Sequence, residues 1–378
     1  MSLPLLFSPL DLRSVRLRNR VVISPMCQYS ARDGMPADWH FAHLARFATG
    51  GAGLVFTEAS AVVAEGRITH GDTGIWTDQQ AEAWGRIVRF LQDHGAKVAM
   101  QLAHAGRKAG MQRPWHGNGP PDDAALLRGE APWRTVSASP EPLEEGWHVP
   151  EELAPAEIHS LVDAFAAAAV RTHEAGFDVA EIHGAHGYLI HQFLSPIANK
   201  RSDAYGGSFE NRIRFALEIT EAVRAVWPED KPLFFRVSSI DGIEGGWELG
   251  DTVALARELK ARGVDVLDCS SSGHSAKGAT NANLTRGPGF QVPFAEEVRR
   301  ETGMATQAVG LITDPAHAEE ILQAGQADLI AIGREALQNP SWPLHARQAL
   351  IADDDYEDWP VQSQWWLERR ARGLKRQA

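Results

Sequence analysis

The chain has 378 residues, 44% hydrophobic and 23% charged, which is an ordinary composition for a globular protein with a large core. Its net charge of −12 argues against non-specific nucleic-acid binding, and its two cysteines exclude a disulfide framework and a four-cysteine metal or iron–sulfur cluster. The sequence has neither a signal-peptide pattern nor an apolar run near the ~20 residues of a membrane span, so we expect a soluble, cytoplasmic protein.

Eight short runs rich in β-branched residues alternate with longer amphipathic segments, which is typical of βα units around a parallel sheet. The runs span residues 20–26, 53–59, 97–102, 178–183, 232–238, 265–270, 304–310 and 328–333. Thr77, Ser208 and Asp314 are expected to cap helices at their N-termini. We therefore predict a (β/α)₈ TIM barrel that forms one domain over residues 1–378. The alternative is an open doubly wound sheet, but no GxGxxG follows the first strand.

One insertion interrupts this alternation after the third strand. Residues 103–154 are rich in proline, glycine and tryptophan. A loop of this length within a barrel is usually functional, for example as a lid. We predict that the segment caps the barrel and does not form a separate domain.

The C-terminal ends of barrel strands carry the active site in this architecture. Here those ends are polar and aromatic, and Glu58 is the one acid among them, which disfavours the paired carboxylates of a glycosidase. The seventh and eighth strands end at Gly310 and Gly333, and Arg334 follows. Glycine lets backbone N–H groups approach a ligand, helix N-termini favour anions, and Arg334 adds a cation, so we predict a phosphate-bearing ligand at these two strand ends.

The segment EIHGAHGYLIHQFLSP follows the fourth strand and contains His183, His186, Tyr188 and His191. Its residues alone leave three interpretations open. The first two histidines could bind a metal ion, which would make the protein a metal-dependent barrel hydrolase, although no further ligand has an obvious spacing. They could instead be core histidines with satisfied hydrogen bonds. In the third interpretation they hold a substrate oxygen while Tyr188 donates a proton. We assign His191 a structural role.

Cys27 lies just after the first strand, and no base at a recognisable spacing would activate it as a nucleophile. From the residues alone, a small buried hydrophobic role is favoured for this cysteine.

Motifs along nearly the whole chain resemble the Old Yellow Enzyme family of FMN-dependent ene-reductases. They are NRVVISPMCQYS, QLAHAGRK, HGAHGYLIHQFLSPIANKRSDAYGGSFENRIRF, FRVS and IGRE. The sequence SPMCQYS, with Cys27 and Tyr29, and the histidine pair at 183 and 186 are similar to the thermophilic-like subclass, which includes xenobiotic reductases. Other branches of the family usually carry threonine at the position of Cys27 and asparagine at that of His186.

The resemblance implies an FMN site at the mouth of the barrel. The flavin phosphate is expected near Gly310, Gly333 and Arg334, and Arg236 is expected beside the N1/C2-carbonyl side of the ring, where a cation stabilises negative charge on reduced flavin. Cys27 would tune the flavin reduction potential. The remaining cofactor-binding residues implied are Ser24, Pro25, Met26, Ala59 and Gln101.

The resemblance also implies an NADPH dehydrogenase or ene-reductase activity with NADPH or NADH as the hydride donor. His183 and His186 would bind the substrate oxygen, Tyr29 would add a contact, and Tyr188 would donate the proton that completes a ping-pong hydride transfer through flavin N5. Expected substrates are activated alkenes such as α,β-unsaturated carbonyls and maleimides, and nitro compounds.

The C-terminal tail, residues 353–378, resembles the segment that reaches a neighbouring subunit's active site in this subclass. Trp365, Trp366 and Arg369 are the candidates, and Trp366 is favoured because WLER matches best. This implies a homodimer or a dimer-based tetramer.

Overall fold

A computed structural model describes residues 3–275, 284–351 and 356–375, so residues 353–355 and 376–378 of the predicted tail lie outside it. Its centre is a closed barrel of parallel strands. We number the barrel strands β1 Val21–Ile23, β2 Leu54–Ala61, β3 Lys97–Ala103, β4 Val179–Gly184, β5 Leu233–Ser238, β6 Val266–Ser270, β7 Ala305–Val309 and β8 Leu329–Ile332. Strand β8 pairs with β1, with Ile330 opposite Val21, and this closure confirms the predicted barrel and excludes the open sheet.

Helices follow the strands around the outside of the barrel. They are α1 Asp38–Thr49, α2 Asp78–Asp93, α3 Pro155–Glu174, α4 Phe209–Val226, α5 Leu249–Ala261, α6 Val292–Thr302, α7 Pro315–Gln323 and α8 Trp342–Ile351, and α9 Val361–Lys375 forms the tail. The three predicted N-caps are confirmed: the Thr77, Ser208 and Asp314 side chains each accept a backbone N–H in the first turn of a helix. No helix within the described ranges has the length and apolarity needed to cross a bilayer.

The lower half of the barrel interior is apolar. Phe56, Phe234 and Leu329 pack there with residues of the hairpin formed by Leu10–Leu12 and Val15–Leu17. This hairpin contributes buried side chains at the N-terminal ends of the strands. The polar side chains that could bind a ligand therefore lie at the other end of the barrel, at the C-terminal ends of the strands.

The segment that follows β3 contains short helices at Gly106–Lys108, Pro114–His116 and Asp123–Leu127, and strand Val136–Ser137 pairs with Glu151–Glu152. Its residues Ala105, Ala109 and Met111 form a small apolar cluster with Ile68. Cys27, Trp133, Trp147 and Tyr188 pack against that cluster. The segment therefore contacts the strand ends at Cys27 and Tyr188, and its function as a cap stays a prediction.

Candidate active site

A cavity of about 470 Å³ opens at the C-terminal ends of the strands. This is within the usual size range of a small-molecule site. Eight residues predicted from sequence line it together: Ser24, Pro25, Met26, His186, Arg236, Gly310, Gly333 and Arg334. The structure therefore brings the residues predicted to contact the flavin ring and those predicted to contact its phosphate around the same cavity.

The end of the cavity where a phosphate is predicted is built from the ends of β7 and β8. Gly310 has a φ of 127°, a conformation that favours glycine, and its carbonyl accepts the Gly289 N–H at 2.8 Å. The hydroxyl of Ser24 is buried and has no hydrogen-bond partner among the described residues, although Ser24 lines the cavity. An unsatisfied buried hydroxyl is costly, so a ligand that hydrogen-bonds to it fits this position.

Sequence reasoning missed a group of residues at the same end of the cavity. They are Arg286, Phe290, Gln291 and Thr313. Several of them lie in the loop between β6 and α6, which has no periodic pattern. Nothing in the sequence related that loop to the ends of β7 and β8.

A buried polar layer lies beneath the cavity. The Arg236 guanidinium is 3.1 Å from the Asp268 carboxylate, and Gln101 Nε2 donates to Glu181 Oε1 at 2.7 Å. Burial, and then the charge of Asp268, raise the pKa of Glu181 well above its usual range, which favours its protonated form. Burial also raises the pKa of Asp268, whereas Arg236 opposes that shift. The layer therefore holds the Arg236 cation against one carboxylate.

The two predicted substrate-binding histidines lie at the end of β4. The ring centroids of His183 and His186 are 5.2 Å apart, and Tyr188 is 5.1 Å from His183. His183 Nδ1 accepts the Ala185 N–H at 3.4 Å, and His186 Nε2 lies 2.7 Å from Ser270 Oγ. The three side chains predicted to act on the substrate are therefore neighbours.

The protonation states of these side chains follow from their surroundings. Burial, and then the charge of Arg236, lower the pKa of both His183 and His186 well below 6.5, so both imidazoles are neutral at neutral pH. Because His183 Nδ1 accepts a backbone N–H, its proton is on Nε2, which is then a donor. Burial, and then Cys27 and Asp72, raise the pKa of Tyr188 well above 10, so its phenol keeps its proton.

A metal site at His183 and His186 finds no support in this geometry. Among the residues that the structure describes, the group of three potential ligands that comes close together is His191, Asp241 and His274. Neither His183 nor His186 belongs to it.

Cys27 and Tyr29 lie on the loop after β1. Glu58 holds this loop, because its carboxylate accepts the Gln28 N–H at 2.8 Å and is 2.9 Å from His40 Nε2. Burial, and then Asp72 and Glu58, raise the pKa of Cys27 well above its usual range, so the cysteine is a neutral thiol and not a thiolate nucleophile. Tyr29 adopts a φ of 51°, and its carbonyl accepts from Arg113 Nε at 2.9 Å.

Ala59 and Gln101 are adjacent in the pairing of β2 with β3. Ala59 also lines a small second cavity together with Asp72 and Tyr188. Ala59, one of the residues predicted to contact the flavin, is thus next to Tyr188.

The tail helix α9 has no buried residue. Trp365 and Trp366 are 47% and 65% exposed, which is unusual for so large an apolar side chain. The Arg369 guanidinium carbon lies 3.4 Å above the Trp365 ring. Within the described part of the chain, no tail residue lines the cavity, so Trp366 does not reach its own subunit's site.

Comparison with known proteins finds relatives that match over most of the chain. Residues 5–353 match the model of the NADH:flavin oxidoreductase / NADH oxidase family. An NADPH dehydrogenase of Geobacillus sp. (strain WCH70) is 44% identical over 92% of this chain and 94% of its own length. One from Listeria innocua serovar 6a is 47% identical over 91% and 95%, respectively.

Solved structures match over the same span. Morphinone reductase is 27% identical, with a TM-score of 0.75, over 95% of this chain and 93% of that one. A 2-naphthoyl-CoA reductase complex has a TM-score of 0.80 at 22% identity and supports the fold alone, since this chain covers 52% of it.

Proposed function

We propose that this chain, which belongs to the NADH:flavin oxidoreductase / NADH oxidase family, reduces the C=C bond of activated alkenes. The resemblance to Old Yellow Enzyme predicted this family, and the family's FMN-dependent, nicotinamide-oxidising chemistry is the basis of the proposal. The substrates proposed are α,β-unsaturated carbonyls and maleimides, with nitro compounds as a further class. The observation that carries the proposal is the grouping of His183, His186 and Tyr188 around the end of β4, beside Arg236.

FMN, when bound, would supply the chemistry of hydride transfer from NADPH or NADH to an electron-poor carbon. The residues that would hold it are Ser24, Pro25, Met26, Cys27, Ala59, Gln101, Arg236, Gly310, Gly333 and Arg334. The free Ser24 hydroxyl, the left-handed Gly310 and the Arg334 cation suit a phosphate. Arg236 places a fixed positive charge where negative charge develops, which is electrostatic preorganisation.

The two histidines would bind the electron-withdrawing oxygen of the alkene. As neutral imidazoles they donate hydrogen bonds without carrying charge, and this draws electron density from the β-carbon. Binding through two donors also fixes the alkene, so that its α-carbon is close to Tyr188.

Tyr188 would protonate the α-carbon. Its Oη–H bond breaks, the proton forms the new C–H bond, and the electron pair stays on the phenolate oxygen. Because its pKa is raised, the phenolate is a strong base and recovers a proton before the next turnover. Tyr29 would add a contact to the substrate, and the neutral Cys27 thiol would tune the flavin without forming a covalent bond.

The exposed tail supports a shared site in an oligomer. With Trp365 held under Arg369, the more exposed Trp366 is the better candidate to enter a neighbouring subunit's cavity. We propose a homodimer or a dimer-based tetramer of single-domain subunits, each capped by residues 103–154.

The test is a stopped-flow comparison of the two half-reactions for Tyr188→Phe. We expect alkene reduction to slow by ~10²–10⁴-fold, the usual contribution of general acid catalysis, and flavin reduction by NADPH to change little. Tyr205→Phe is the matched control, because Tyr205 donates its hydroxyl to Glu218 at 3.0 Å, outside the cavity. Equal slowing of both half-reactions would contradict the role of Tyr188.

A further inference from the structure

A buried cluster lies behind the loop that carries His186 and Tyr188. One oxygen of the Asp241 carboxylate is 2.9 Å from His191 Nε2 and 3.4 Å from His274 Nε2. The other accepts from Ser195 Oγ at 2.6 Å and from the Trp247 N–H at 2.7 Å. The side chains of His191 and Asp241 are 0% exposed.

The second nitrogen of each imidazole determines its tautomer. His191 Nδ1 accepts the Gly187 N–H at 2.8 Å, and His274 Nδ1 faces the Arg107 guanidinium at 3.1 Å. Both Nδ1 atoms therefore use their lone pairs as acceptors, so the proton of each neutral ring is on Nε2. A ring nitrogen that carries a proton cannot bind a metal ion, and the Nε2–H groups of both histidines point at Asp241 instead. This argues against a metal ion and makes the carboxylate the group that fixes both tautomers.

The Gly187 amide lies between the two residues that act on substrate in our proposal. His186 and Gly187 have φ values of 61° and 70°, which for His186 is an uncommon conformation. A Cβ on Gly187 would lie 2.2 Å from the Gly273 carbonyl oxygen, so the backbone is closely packed on that side. On the other side, His191 Nδ1 is the acceptor that holds its N–H.

We propose that His191 is a positioning residue, whose Nδ1, kept as an acceptor by Asp241, holds the Gly187 amide and thereby sets His186 and Tyr188 relative to each other. The inference rests on the proposed alkene reduction, because it assigns His191 to that site. His191 then positions residues of the active site and does not serve the fold alone, and Asp241 acts on the site through the His191 imidazole.

Two substitutions at position 191 separate the two functions of the imidazole. In His191→Asn the side-chain oxygen occupies the place of Nδ1 and still accepts from Gly187, but the side chain no longer reaches Asp241. In His191→Gln the amide N–H reaches Asp241, and the Gly187 N–H loses its acceptor. The positioning role predicts that the asparagine variant retains function and the glutamine variant does not.

Two readouts test this. Amide hydrogen exchange at Gly187, followed by NMR on the FMN-loaded protein without substrate, should be close to wild type in His191→Asn and at least tenfold faster in His191→Gln. In stopped flow, the alkene half-reaction should fall by about tenfold or more in His191→Gln and stay within about threefold in His191→Asn, with flavin reduction by NADPH little changed in either.

The opposite order, with Gly187 protected and alkene reduction fast in His191→Gln, would show that His191 only satisfies Asp241 and would overturn the inference. Equal exchange in the two variants would also overturn it. If the wild-type enzyme reduced no alkene, the proposed function would fail, and the Gly187 exchange rates would still decide whether His191 holds the amide.

Discussion

Replacing Asp268 with asparagine tests the ion pair beneath the cavity. Arg236 is 6% exposed and Asp268 0%, so both charges are largely removed from solvent. Removal of one partner from a buried pair typically costs about 3–5 kcal/mol, because the remaining charge has no compensation. We expect Asp268→Asn to lower the free energy of unfolding by about 3 kcal/mol, at the lower end of this range. The loss is limited because the nearby Glu181 can ionise and compensate part of the Arg236 charge.

Urea unfolding of the holoenzyme at one fixed FMN concentration measures this change, because bound ligand itself stabilises the fold. The matched control is Asp11→Asn. Asp11 pairs with Arg16 at a shorter 2.8 Å, but both side chains are more than 60% exposed, so we expect a loss below about 1 kcal/mol. Equal losses in the two variants would refute the argument that burial, and not distance, determines the strength of the pair.

Further predictions concern pH, the phosphate end and the tail. Burial lowers the pKa of Lys108 to about 7 in the folded protein. Between about pH 7 and the higher pKa of an unfolded lysine, the unfolded chain therefore binds one proton more than the folded chain, and the free energy of unfolding rises with pH. Lys108→Met should flatten this slope in denaturant titrations at several pH values; an unchanged slope would contradict the assignment. Gly310→Ala places a Cβ 3.1 Å from Phe290 at a φ of 127°. This variant should bind FMN about tenfold or more weakly in a fluorescence titration. An FMN affinity equal to that of the wild type would exclude a tight fit at this position. Truncation before Trp359 should reduce the sedimentation coefficient and change alkene preference; an unchanged assembly would argue against a shared site.

The fold was predictable because its signals are local. Each of the eight predicted runs overlaps one barrel strand, and Thr77, Ser208 and Asp314 cap helices where expected. Strand ends were slightly misplaced at β1, where Ser24, Pro25 and Met26 leave the strand and line the cavity. The grouping of strand-end residues around one cavity was also predictable, since barrel topology brings all strand ends to one face.

The supporting charges were not predictable, because their partners are distant in sequence. Asp268 meets Arg236 only across the pairing of β5 with β6, and Asp241 meets His191 from a different loop. The signal available was a charged residue inside an apolar strand, as at Glu181 and Asp268. Such a residue is costly to bury unless paired, but the pattern does not say with what.

The combined variant Asp268→Asn with Glu181→Gln tests how the barrel compensates the buried charge of Arg236. In the wild type the charge of Asp268 helps to keep Glu181 protonated, whereas Arg236 acts in the opposite direction. Without Asp268 burial still raises the pKa of Glu181, but the influence of Arg236 is no longer opposed by a second carboxylate, so this pKa falls below its wild-type position and the Glu181 carboxylate can compensate Arg236 in part. Glu181→Gln alone should therefore cost less than about 1 kcal/mol, since it replaces a neutral acid, and Gln101 can still bond to the amide oxygen. The double variant leaves no carboxylate, so its loss in urea unfolding should exceed the sum of the single losses by about 1 kcal/mol or more. Additive losses would mean that Glu181 does not respond to the removal of Asp268, and that the Arg236 charge depends on one partner alone.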